Sequence, residues 1–206
     1  MTSTFTQVPP DSTGDKLMMR SYTRGSDVVH SQGVYYDGLP TYGILNDASA
    51  VATNKYHLYI RNDTGSGQTV YLLGLYIINL QVSAVTGVAL RFNLLRVTGT
   101  PTMTALTPWA FNTADPAIAG VTAGHTVTAG LTDGQILRPM IVSSDEQTAA
   151  ATNLQQLVDT VNHLGMAHPN GRAKALRPGE AVAIRQPTTG TVGSFAFLAH
   201  IAVEPD

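Results

Sequence analysis

The sequence predicts an all-β protein: an antiparallel β-sandwich of jelly-roll type, with one peripheral helix over about residues 145–163 and an extended N-terminal arm. Three observations predict it. Short apolar runs with period-two alternation recur from Tyr56 onward. Turn signals built from Gly, Pro and Asp separate them at sandwich-like intervals. No internal repeat of the kind that builds solenoids or propellers is present. With 206 residues the chain fits one large sandwich, and a domain of that size buries about 70% of its unfolded surface without staples.

Each element follows from its own residues. Met1 to about Gly33 is polar, without sustained periodicity, and reads as the arm. Residues 1–33 are thus separated from a sandwich domain at 34–206. Val34–Leu45 mixes aromatics with Gly and Pro, which suggests short edge strands and turns. Tyr56, Leu58 and Ile60 alternate with His57, Tyr59 and Arg61, the pattern of a half-buried strand. Asp63 to Gly67 turns the chain. Thr69–Val82 is apolar on both faces and reads as a central strand covered on each side. In Val88–Thr98, Val88, Leu90, Phe92 and Leu94 face one way, Arg91 and Asn93 the other.

Gly99–Gly120 reads as a long Pro/Thr/Ala loop carrying Trp109, and loops of that length are usually functional or interface-forming. Val121–Ala129 and Gln135–Ser143 are strands turned by Thr132-Asp133-Gly134. Ser144 can cap a helix whose first turn holds Asp145 and Glu146. Ala150, Leu154, Leu157, Val158 and Val161 repeat at helical spacing, and Gly165 can close it. Leu176 to Glu180 is a Pro-Gly turn. Ala181–Gln186 and Phe195–Val203 are the closing strands.

Composition narrows the partners. With no cysteine, disulfides and thiolate metal sites are excluded. Charged residues make up 13%, against about 25% in average domains, while apolar content is 43% and net charge -2. Disorder does not explain this balance. A surface so poor in charge is expected to be covered by neighbouring protein; a neutral Thr/Ser/Asn surface on a monomer is the alternative. No basic stripe with interleaved aromatics points to nucleic acid. The N-terminus has no apolar core of a signal peptide, and the longest apolar run, around Val70–Leu80, is too short to cross a bilayer as a helix.

Motifs that carry chemistry are weak. Asp63-Thr64-Gly65 matches the aspartic-protease triplet, but that chemistry needs two carboxylates and the chain has no second copy, so only a homodimer could supply it, as a hydrolase using Asp63. A hairpin turn explains Asn62 to Gly67 fully. Asn62-Asp63-Thr64 also fits the glycosylation sequon, which reads as accidental. Of the six histidines, His163 and His168 lie five apart with no Glu between, unlike zincin pairs. The others are His30, His125, His57 and His200, of which His57 and His200 fall inside strands and read as packed or hydrogen-bonded residues. No phosphate-binding loop or nucleophile elbow is present. The expectation is a non-enzyme without catalytic, cofactor-binding or metal residues. Tyr35, Tyr36, Tyr42 and Trp109 are the candidate functional residues, as a subunit-interface anchor ahead of a sugar-stacking platform.

Thr107-Pro108, Thr113-Ala114-Asp115-Pro116, the stretch Leu176 to Gln186 and the closing Gly193–Glu204 strand resemble structural proteins of tailed-bacteriophage virions. The resemblance spans roughly Tyr56–Glu204. It implies a β-sandwich subunit that decorates or cements a capsid, with head-fibre or tail component as the neighbouring reading. The implied partners are further copies of the chain, with a homotrimer favoured, and the major capsid or other virion proteins. The implied location is the virion, assembled in the host cytoplasm. A tail, baseplate or carbohydrate-binding receptor module is the alternative.

Overall fold

The computed structural model describes residues 3–7, 16–24, 27–32, 39–81, 88–144, 162, 164, 174–188, 190 and 192–205. The chain divides into two compact units, Met1–Gly38 and Leu39–Asp206. In the first, the segment read as an arm forms three strands, β1 (Ser3–Gln7), β2 (Lys16–Arg24) and β3 (Asp27–Gln32). They pair antiparallel in chain order, with Thr4, Met19 and Gln32 in one row.

The second unit holds β4 (Thr41–Ala50), β5 (Tyr56–Asn62), β6 (Gln68–Asn79), β7 (Ala89–Thr98), β8 (Thr102–Leu106), β9 (Trp109–Ala110), β10 (Val121–Ala129), β11 (Thr132–Ser143), β12 (Lys174–Leu176), β13 (Ala181–Arg185) and β14 (Ser194–Pro205). They form two antiparallel sheets, in the orders β11-β7-β13-β5-β10-β8 and β12-β6-β14-β4-β9. No helix occurs among the described residues. The predicted helix at about 145–163 lies outside them, apart from Asn162.

The pairing is nested. The first strand of the body pairs with the last, β4 with β14. The second pairs with the second-last, β5 with β13, then β6 with β12, and β7 with β11 at the centre. This is a long antiparallel ribbon folded at its middle. Rolling the ribbon brings β14 beside β6 and β13 beside β7, so its two ends become the two sheets. Strands β8, β9 and β10 are inserted between β7 and β11 and extend both sheets beyond β5 and β4.

The sheets enclose a core of alternating side chains. Ile44, Leu58, Phe92, Ile184, Phe195 and Phe197 are all buried there. A second cluster of Tyr59, Leu95, Val97, Ala181 and Ala183 lies on the other face of the six-stranded sheet, with Met103, Val127 and Leu131 packed on it. That cluster is why Tyr59 is buried in a strand whose sequence suggests one wet face. Burying such residues contributes roughly 1.5–3 kcal/mol per large aliphatic or aromatic side chain.

Three irregularities re-aim side chains. Leu58 pairs with Ile184 and Tyr56 with Arg185, so His57 is the extra residue. The bulge sends His57 into the core beside its neighbour Leu58. On β6, Ile201 pairs with Leu72 and His200 with Gly74, leaving Leu73 as the extra residue. Inward positions therefore run Val70, Leu72, then Leu75, Ile77, and the strand reads as apolar on both faces. Beside this bulge the Asn162 amide stands in for a missing strand. Its Oδ1 accepts from Leu75 N at 3.0 Å and its Nδ2 donates to Leu73 O at 3.4 Å, while Leu164 enters the core. The third irregularity lies on β4 between Asn46 and Ser49.

Three expectations are corrected. The loop expected over Gly99–Gly120 contains β8 and β9, whose partners β10 and β4 lie distant in sequence. The short edge strands expected in Val34–Leu45 give way, from Thr41, to a ten-residue strand held by β14. The turn before β11 centres on Gly130, in the left-handed region at φ 89°, rather than on Thr132-Asp133-Gly134.

Candidate functional site

Two side-chain clusters outside ordinary core packing hold the functional candidates. The first is a buried polar network at the His57 bulge. Gln186 Nε2 donates to Thr188 O at 2.9 Å and its Oε1 accepts from Ala52 N at 3.1 Å, which fixes the amide orientation. The same Oε1 lies 3.3 Å from His57 Nε2, so that nitrogen carries the proton. Nδ1 then accepts from the Ser49 hydroxyl at 2.8 Å. The ring stacks on Phe197 at 4.6 Å and meets Phe92 edge-on at 5.3 Å. Asn46 Nδ2 donates to the His57 carbonyl at 2.7 Å. Burial, then the nearby Lys55 charge, lowers the His57 pKa to about 4, against a smaller opposing effect of the Gln186 bond. The imidazole is therefore neutral at pH 7.

A Ser–His–amide chain resembles a catalytic relay in its connectivity. Its exposure decides its role: His57 and Gln186 are 0% and Ser49 is 3% exposed. No reacting group can approach the serine, so in this conformation the network ties β4, β5 and the end of β13 together.

The second cluster paves the outer face of the five-stranded sheet. Gly43, His200 and Gly74 form one row across β4, β14 and β6. A Cβ at Gly43 would lie 2.4 Å from Trp109 Cζ2 and 2.6 Å from Cε2, so the indole lies flat over the bare backbone. A Cβ at Gly74 would lie 2.9 Å from Tyr76 Cε2. His200 stands between the two, 5.0 Å from the Tyr76 ring and 4.8 Å from Phe111. Phe111 meets Trp109 edge-on at 6.2 Å. Glycines let two rings lie down, and a one-ring-thick aromatic layer results. Half-burial lowers the His200 pKa, keeping it neutral at pH 7.

The sequence-predicted residues separate in space. Trp109 is 41% exposed on β9. Tyr42 is only 3% exposed, with its hydroxyl donating to Pro116 O at 3.0 Å. Alternation explains the split: Tyr42 pairs with Ala110 on the inner face, Gly43 with Trp109 on the outer. Tyr35 and Tyr36 lie outside the described residues. Phe111, Tyr76 and His200 complete the ring layer and were not singled out as a group. The available signal was the Trp-Ala-Phe spacing of two, which would place both rings on one side of a strand.

The weaker motifs also find their places. Asp63 sits in the β5–β6 turn, accepting from Thr122 Oγ1 at 2.9 Å. Asn62, fully buried, donates to Gln68 O at 2.7 Å and Leu176 O at 2.8 Å and accepts from Ser66 Oγ at 2.6 Å. Its amide is unavailable for glycosylation in the folded chain. Among the described residues no group of three or more His, Asp or Glu side chains could hold a metal. Arg185 pairs with Asp133, bonds Asn54 and lies over the Tyr56 ring, a staple between β13, β11 and β5.

Comparison with known proteins returns no match to a family model, to a curated protein or to a solved structure.

Proposed function

We propose that the chain is a non-catalytic structural subunit of a virion, a capsid decoration or cement protein built on a jelly-roll sandwich. The nested ribbon supports the jelly-roll part, because two Greek-key halves rolled into two sheets give this order of strands. Jelly rolls serve viral coats among other roles, and this analogy of fold supports the reading.

The observation that carries the assembly reading is the β7–β11 edge. Val88, Ile136 and Ile141 are 45%, 47% and 73% exposed, three of the six large apolar residues found exposed among the described residues. Ile141 pairs with Arg91, on the side opposite Met140 and Phe92, so it cannot turn into the core. Strand β11 is the last of its sheet and twelve residues long, the kind of edge that solitary proteins protect. Pro139 interrupts its row of donors and disfavours simple strand addition. Neighbouring protein covers this edge through side-chain packing. Burying Ile136 and Ile141, which pair with Leu95 and Arg91 on one face of β7, contributes about 2–4 kcal/mol gross per copy, before the entropic cost of association.

Light scattering coupled to size-exclusion chromatography tests the reading. The expected result is a stable oligomer, a trimer by preference, that Ile141→Asp disperses to monomers. A wild-type chain that stays monomeric at about 100 μM and never binds phage heads would refute it.

A further inference from the structure

The exposed apolar side chains fall into two chemically different groups. Leu80, Val88, Ile136 and Ile141 are aliphatic; Trp109 and Phe111 are aromatic and lie on and just after β9, the outermost strand of the other sheet. Aliphatic groups offer only area. Rings offer a flat polarisable face, to which the C–H groups of a sugar ring can stack.

From this arrangement we infer that Trp109 is the platform of a binding site for a neutral saccharide. The indole rests flat against Gly43 and is 41% exposed. The ring is fixed in that pose from below by the glycine and from the side by Phe111. A platform held in place loses little freedom when a ligand arrives.

Size selects the occupant. Trp109 is 41% and Phe111 49% exposed. From the ~150–250 Å² of an aromatic side chain, each ring offers on the order of 100 Å². A stable protein interface needs about 800 Å² per partner. The rings meet at 68° and Phe111 meets His200 at 75°, so they do not form one long flat track. One or two sugar rings match the area and the geometry.

The loop after β9 carries polar groups of its own. Asn112 folds back, with Oδ1 accepting from Ala114 N at 3.0 Å and its carbonyl from Asp115 N at 2.9 Å. Asp115 Oδ2 accepts from Thr41 N at 3.4 Å. Neither Asn112 Nδ2 nor Asp115 Oδ1 has a hydrogen-bond partner among the described residues. His200 adds a neutral imidazole with no hydrogen bond among the described residues.

Trp109 is the sole tryptophan, so emission excited selectively over the tyrosines reports on this site alone. The full chain is screened on an array of neutral oligosaccharides and titrated with methyl β-D-glucopyranoside, methyl β-D-galactopyranoside and chitotriose. The expected result is a saturable emission change with a dissociation constant on the order of 1 mM for at least one of them. Saturation-transfer NMR follows the same sugar on variants. Trp109→Tyr, which keeps a ring over Gly43, weakens binding by about three- to tenfold, and Trp109→Ala weakens it by more than tenfold. Silence across the array and all three sugars overturns the inference, as does undiminished binding by Trp109→Ala. Should Trp109→Ala fail to fold, the wild-type titration and the tyrosine variant still decide. The inference is independent of the assembly reading: Ile141→Asp leaves the saccharide response unchanged even where it abolishes the oligomer.

Discussion

Acid should weaken this fold, in part through the buried imidazole of His57. The folded imidazole titrates at about 4, because burial between Phe197 and Phe92 disfavours its charge. In the unfolded chain it returns to its ordinary value near 6.5. Between those values the unfolded chain holds a proton that the native state does not. The contribution of His57 is complete above pH ~6.5, falls as the pH drops, and levels off below pH ~4. The two values differ by roughly 2.5 units, and at about 1.4 kcal/mol per unit the loss totals about 3 kcal/mol. That is a large part of a stability of about 5–15 kcal/mol. Urea unfolding of the wild type and of His57→Gln, at about pH 7, 6 and 5, isolates the effect. His200, also lowered by burial, is common to both and cancels. The expected wild-type advantage over the variant shrinks by about 1.4 kcal/mol per pH unit below pH ~6. An advantage that stays flat from about pH 7 to 5 would show that His57 is not buried neutral as described.

Two further outcomes follow from single contacts. Asn62→Ala strands the Gln68 and Leu176 carbonyls and the Ser66 hydroxyl, and should cost about 2–4 kcal/mol in urea unfolding at pH 7. Gly43→Ala drives a methyl group into the Trp109 indole, costing about 1–3 kcal/mol and shifting Trp109 emission to the red as the ring lifts into water.

Several elements were legible because their signals are local. Tyr56–Asn62, Val121–Ala129 and Ala181–Arg185 carry enough alternation to be read as strands within a residue or two of their observed limits. Leu90, Phe92 and Leu94 were legible as inward from alternation, whereas Val88 of the same set is 45% exposed and Asn93, read as facing the other way, is buried. The face assignment failed at His57, where a bulge inserts one residue. Nothing in residues 56–61 announces that insertion, since it is imposed by the register with β13. Trp109-Ala110 was invisible as a strand because two residues carry no period. Its pairing with Tyr42 and Gly43 arises only once β4 is in place.

By itself the sequence determined the all-β class, the limits of about half the strands, the lack of disulfides and the poverty of charge, since these depend on side-chain chemistry and local conformational preference. Tertiary structure alone decided which strand lies beside which, because pairing in a rolled ribbon joins segments far apart in the chain. It also divided Tyr42 from Trp109, sending one into the core and laying the other over a glycine, as neighbouring positions in a pleated strand must face opposite ways.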